Sequence, residues 1–192
     1  VLNRRLANQI QEEEYSFLEV IERNGKQLLA LINDILDLSR VEAGREEIDA
    51  SQIDINDLLA EVVSTLAPLA QQKNIALLHH PASGHFTIIS DYVKCRQILQ
   101  NLVGNAVKFT ETGQVEISAQ QSDSMIKISV CDTGIGITED QIQHIFDEFR
   151  QADGSTSRRY GGTGLGLTIA KKFAQLLGGD IAVTSEIGKG SE

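Results

Sequence analysis

Apolar positions recur three and four apart over residues 12–43, where Leu18, Ile21, Gly25, Leu28, Ile32, Ile35 and Ser39 form a heptad-like seam. Leu29, Leu31, Leu36 and Leu38 widen it beyond what one helix can bury alone. The pattern therefore predicts a bundle helix that needs residues 1–7, an upstream helix and a second copy of the chain, which makes dimerisation the expected result. Glu42-Ala43-Gly44 reads as a helix stop with a glycine cap, and the domain boundary is placed there.

Beyond residue 44 the periods are shorter. Residues 47–55 read as an edge strand and 56–73 as a helix capped by Asp54 or Asn56, bent late by Pro68. Short strands at 75–80 and 85–89 flank the turn Pro81-Ala82-Ser83-Gly84, and Asp91 caps a helix over 92–109. A hairpin joins 115–121 to 125–131; helices near 138–146 and 165–177 bracket a polar segment, and 180–185 reads as a strand. Strands and helices are segregated rather than strictly alternating. The expected fold class is therefore α+β: an α/β sandwich of a mixed sheet with helices on one face, preceded by the long bundle helix.

Composition narrows the function. A chain of 192 residues that is 41% hydrophobic can build one ordinary core plus a smaller element, and no transmembrane or signal segment is read in it. A formal charge of −10 argues against a nucleic-acid partner and requires any polyanionic ligand to be met by local positive groups. Cys95 and Cys131 have neither zinc nor disulfide spacing, which suits a reducing, cytoplasmic setting.

The candidate chemistry centres on Cys131-Asp132-Thr133-Gly134-Ile135-Gly136-Ile137, a carboxylate at a strand end followed by a glycine-rich turn. Such a carboxylate accepts from the exocyclic amine of adenine and repels the carbonyl that guanine offers in the same place. The helix over 92–109 carries a polar stripe of Gln97, Asn101, Asn105 and Lys108. Two asparagines are costly inside a helix, and a neutral amide can join a magnesium shell already crowded by phosphate oxygens while a lysine meets phosphate as a point charge. Gly161-Gly162-Thr163-Gly164-Leu165-Gly166-Leu167 opens another helix whose first-turn amides suit an anion; it fits neither a dinucleotide-binding fingerprint nor a Walker loop. Nor does Gly188-Lys189-Gly190-Ser191, where glycine follows the lysine. Between the glycine motifs, residues 150–160 have the composition of a lid, with Arg150, Arg158 and Arg159 available to phosphates and Phe146 and Phe149 anchoring its start. Each motif alone is compatible with a turn or a solvated helix face.

Taken in order, Asn101 to Asn105 with Lys108, Asp132-Thr133-Gly134-Ile135-Gly136, Phe146-Asp147-Glu148-Phe149 and Gly162-Thr163-Gly164-Leu165-Gly166-Leu167 resemble the N, G1, F and G2 boxes of two-component sensor histidine kinases, and residues 28–44 resemble the end of their second dimerisation helix, as in hybrid kinases. The resemblance implies two parts. Residues 1–44 would be a partial dimerisation and histidine-phosphotransfer hairpin lacking the phosphoacceptor helix, and 45–192 a GHKL-type ATP-binding catalytic domain with its last strand truncated. It also implies ATP and Mg2+ as ligands, with Asp132 on the adenine amine, Asn105 on magnesium, and Asn101 and Lys108 on the phosphate side. Phe109 would wall the pocket; Gly134, Gly136 and Ile137 would shape the base site. Phe149, Arg150 and Arg158 would belong to the lid, and Gly162, Thr163, Gly164, Leu165, Gly166 and Leu167 would wrap the phosphates.

Two departures stand out. Gln151 falls where some relatives carry an arginine approaching the γ-phosphate, which leaves Arg150 or Arg158 to substitute. No histidine of the phosphoacceptor type is present: His79, His80, His85 and His144 flank turns or a short helix. The expected function is thus the catalytic domain of a histidine kinase that donates the γ-phosphoryl group to a histidine outside these residues, for relay to a response-regulator receiver domain. Homodimerisation would run through the helical segment, and membrane attachment only through regions upstream. A non-catalytic nucleotide sensor of the same fold is the alternative. A water-activating GHKL ATPase ranks below both, because Asn101 stands where such relatives tend to carry the glutamate base.

Overall fold

A computed structural model describes residues 12–81, 84, 86–122, 125–150 and 163–192. Helix α1 (Glu12–Glu42) leads into strand β1 (Ala50–Asp54) and helix α2 (Ile55–Gln72). Then come β2 (Ala76–His80), β3 (Thr87–Asp91), helix α3 (Tyr92–Phe109) and the hairpin β4 (Gln114–Ser122) and β5 (Met125–Asp132). The chain closes with the single turn α4 (Glu139–Ile142), helix α5 (Gly166–Leu176) and the two-residue strands β6 (Ser185–Glu186) and β7 (Gly190–Ser191).

The main sheet has the order β2-β4-β5-β7-β6 and is mixed, because β2 runs parallel to β4 while the other neighbours are antiparallel. The core lies between this sheet and α2 and α3. Alternate residues Val115, Ile117 and Ala119 of β4 point into it, meeting Leu58, Leu59 and Val62 of α2 and Leu99, Val103 and Val107 of α3. That burial fixes the rotation of α3. With its 99–103–107 face turned to the sheet, the stripe carrying Asn101 and Asn105 must face away, toward a cleft.

Capping sets the ends of these helices. Asp54, rather than Asn56, caps α2 by accepting from the N–H groups of Asn56 and Asp57 at 2.8 and 3.2 Å, and α2 continues through Pro68. Asp91 caps α3 through the Lys94 N–H at 3.0 Å. At the other end of α3, Lys73 Nζ donates to the carbonyls of Val107, Lys108 and Thr110 at 2.6–2.7 Å, supplying a positive charge where the helix carbonyls lack partners.

Strands β2 and β3 lie in different sheets, and two expectations are corrected. β2 joins β4, whereas β3 pairs with β1 in a separate two-stranded antiparallel sheet. The helix expected over 138–146 ends after Ile142, although Thr138 and Gln141 form a full capping box. Downstream, the Phe146 carbonyl accepts from Thr168 Oγ1 at 2.9 Å and the Phe146 ring lies 4.9 Å from Lys171 Nζ, so this segment follows α5 instead of its own helical path. Residues 181–184 form no strand; Thr184 bonds Glu192 through both backbone groups, and the ladder begins at Ser185.

Helix α5 packs between α3 and α1. Leu165, Ile169 and Phe173 form a second buried cluster with Leu38, flanked by Leu31 and Val41 of α1 and Ile98 of α3. No helix among the described residues is long and apolar enough to cross a membrane.

Candidate functional site

Asp132 ends β5 with its carboxylate half-buried, and Oδ1 accepts the Gly134 N–H at 2.7 Å. Burial raises its pKa above the ordinary carboxylate value, opposed by hydrogen bonds from Gly134 and Ser191. The glycine turn that follows is threaded between two walls. A Cβ on Gly134 would lie 2.7 Å from the Phe109 carbonyl oxygen at the end of α3. Gly136 has φ +70, and a Cβ there would lie 2.2 Å from the Glu186 carbonyl oxygen. Only glycine allows both approaches.

The stripe on α3 forms the adjoining wall. Asn101 Oδ1 would stand 3.0 Å from a Cβ on Gly166, so the first turn of α5 sits directly against the asparagine. Helix α5 has no side-chain cap, Leu165 being its N-cap residue, and its first amides remain suited to an anion. Lys108 Nζ lies 4.7 Å from the Phe109 ring centroid, and burial lowers its pKa. Gly164, at φ +74, packs so closely on the chain of the F box that an added Cβ would lie 3.0 Å from the Phe149 carbonyl carbon. Arg150 donates to Asp147 at 3.2 Å.

Together these groups border a cleft of about 1600 Å³. Of the residues expected from the sequence, Asn101, Asn105, Lys108, Phe109, Asp132, Gly136, Ile137, Arg150, Thr163, Gly164, Gly166 and Leu167 line it. Three have other surroundings. Gly134 packs on Phe109, Phe149 is 60% exposed with its backbone on Gly164, and the Leu165 side chain is fully buried against Leu38 and Phe173. Leu165 can therefore offer a phosphate its backbone only. Arg158 and Gly162, with Gln151 and Arg159, lie outside the described residues. Gln97 belongs to the interface with α1, its amide donating to Asp37 at 3.0 Å.

The sequence reading missed Asp34 and Ser191. Asp34, on α1, lines the cleft and accepts from Thr163 Oγ1 at 3.0 Å, a contact no local motif announces. Ser191 was weighed only as part of a failed Walker loop, yet it is paired with Asp132 in the sheet. Among the described residues no group of three or more His, Cys, Asp or Glu side chains could hold a metal by itself.

Residues 90–192 match the family described as "Histidine kinase-, DNA gyrase B-, and HSP90-like ATPase", which is more than half of the chain. The chain belongs to this ATPase family. Residues 2–44 match the "His Kinase A (phospho-acceptor) domain". Similar relatives of this chain are sensor GacS of Pseudomonas syringae pv. syringae, 39% identical over 96% of this chain and 21% of GacS, and histidine-protein kinase BarA of Escherichia coli K12, 42% identical over 91% of this chain and 20% of BarA. The chain thus spans about a fifth of the length of the curated relatives it matches. Full-length ShkA, crystallised with AMPPNP, superposes with a TM-score of 0.84 at 35% identity, covering 97% of this chain and 39% of ShkA. The Acinetobacter baumannii histidine kinase AdeS, at 20% identity and TM-score 0.76, shares the fold.

Proposed function

We propose that this chain is the ATP-binding catalytic part of a two-component sensor histidine kinase, acting in the cytosol. The observation that carries the reading is convergence: a half-buried carboxylate, an amide stripe and an uncapped helix N-terminus border one cleft although they lie far apart in sequence. Asp132 accepts from the adenine amine. Asn101, Lys108 and the first amides of α5 receive the phosphates, and Gly164 and Gly166 let backbone approach them. Magnesium fits only as a shared ligand, because Asn105 contributes a neutral oxygen and phosphate oxygens must complete the shell. Bound there, the ion would neutralise phosphate charge. Arg150, tethered by Asp147 at the cleft wall, is the lid arginine that the described residues bring to the cleft. The AMPPNP bound to ShkA supports a nucleotide ligand here.

In this reading the domain holds ATP in line with a histidine on the dimer bundle, and catalysis is positioning and charge neutralisation. The acceptor is supplied by other residues, since the first histidine in the chain is His79. Phosphate then passes to an aspartate of a receiver domain, as the complex of ThkA with the response regulator TrrA suggests. A second reading is a nucleotide sensor of the same fold that changes the bundle without transferring phosphate. Incubating a longer chain carrying the upstream bundle helix with γ-labelled ATP separates the two: acid-labile label on the protein is expected, and ATP binding without label would support the sensor.

A further inference from the structure

We propose that Ser185 is a positioning residue for base recognition: acting through Ser191, it holds the Asp132 carboxylate in the orientation that prefers adenine over guanine. The inference rests on the assignment of Asp132 to the base. Ser185 Oγ accepts the Ile137 N–H at 2.8 Å, which ties the glycine turn to the C-terminal hairpin. The same oxygen lies 2.8 Å from the Gly190 carbonyl and 2.9 Å from Ser191 Oγ. Ser191 is paired with Asp132 in the β5–β7 ladder, and its N–H and hydroxyl both serve the Asp132 carboxylate as donors. The hairpin sits so tightly on this strand end that a Cβ on Gly190 would lie 1.8 Å from the Asp132 carbonyl oxygen.

Each hydroxyl has one proton to give. A carboxylate is the strongest acceptor within reach, so the Ser191 proton goes to Asp132, while the Ser185 proton goes to the Gly190 carbonyl at 2.8 Å. Ser185 thus accepts from Ile137 and donates to Gly190, which fixes the hairpin that carries Ser191 against the glycine turn and Asp132. A carboxylate offers about four lone-pair sites. Gly134 takes one of them and Ser191 lies beside the carboxylate, which still has acceptor capacity for an amine in the cleft. Removing the Ser185 hydroxyl loosens this hairpin and frees the carboxylate to rotate. It then attracts adenine less and swings away from the guanine carbonyl that it would otherwise repel, while contacts to phosphate are unchanged.

The test is calorimetric titration of the 192-residue chain with ATP, GTP and inorganic tripolyphosphate in magnesium buffer. Ser185→Ala should lower the ratio of ATP to GTP affinity by roughly fivefold to tenfold. Ser191→Ala should do so at least as strongly, Ser185→Thr should restore the ratio, and tripolyphosphate affinity should stay constant. An unchanged ratio in a folded Ser185→Ala chain, or equal weakening of ATP and GTP, overturns the inference. Should Ser185→Ala fail to fold, Ser191→Ala decides by the same ratio. If Asp132→Ala abolishes the preference for ATP and neither serine variant alters it, this inference alone falls. If the unaltered chain shows no preference, or Asp132→Ala retains one, the base assignment falls with it.

Discussion

Asp132 is held at a cost. Burial raises its pKa, so at neutral pH the folded chain keeps a carboxylate ionised in surroundings that disfavour the charge. For a group whose folded value is raised, stability falls as pH rises from the unfolded value through the folded one, and the penalty is complete above it. Asp132→Asn should therefore be the more stable chain at neutral pH. In urea denaturation followed across pH, its advantage should shrink as pH falls through the acidic range, where the native carboxylate becomes protonated; a gap that grew on acidification would contradict this. Asp132 was legible in sequence because a strand pattern ended on a carboxylate and a glycine turn. Ser191 was not, because a two-residue strand has no periodicity and the pairing that brings it to Asp132 is long-range.

Among the elements, α3 does most to place the site, since its buried face and its amide stripe are two sides of one helix. Its C-terminus is held from outside by Lys73, whose three carbonyl contacts end where Lys108 and Phe109 enter the cleft. Lys73→Met keeps the aliphatic stem and removes the donors, and should cost about 1–3 kcal/mol in chemical denaturation while weakening ATP binding. A denaturation midpoint and an ATP affinity both equal to wild type would show that the helix end needs no such clamp. The helices and the β4–β5 hairpin were readable because their apolar periods are long and their caps are local. The partners of β2 and β3 were not. Two short strands around a turn look like a hairpin, and only the packing of α2 and α3 sends one to each sheet. The short α4 likewise reflects a tertiary contact, Phe146 with Thr168, that overrides a good local cap.

At the scale of the whole molecule, α1 carries two stripes with different tasks. Leu31, Asp34, Leu38 and Val41 face α5 and the segment leading into it, where Leu38 enters the α5 cluster and Asp34 takes the Thr163 hydroxyl. Lys172 of α5 adds an ion pair to Glu42 at 2.5 Å. Leu28, Leu29, Ile32 and Leu36 remain 47–65% exposed on the other side. The sequence showed a stripe too wide for one partner, and the structure divides it. If this stripe is the dimer seam expected from the sequence, Ile32→Asp should leave nucleotide affinity intact and weaken self-association in sedimentation equilibrium; unaltered self-association would place the interface elsewhere. The central claim, that the Asp132 carboxylate selects the nucleotide, is tested most directly by calorimetric titration of magnesium ATP into the unaltered chain and into Asp132→Ala. Loss of a charged hydrogen bond predicts affinity weaker by roughly 10- to 100-fold; equal affinities in two folded chains would contradict it.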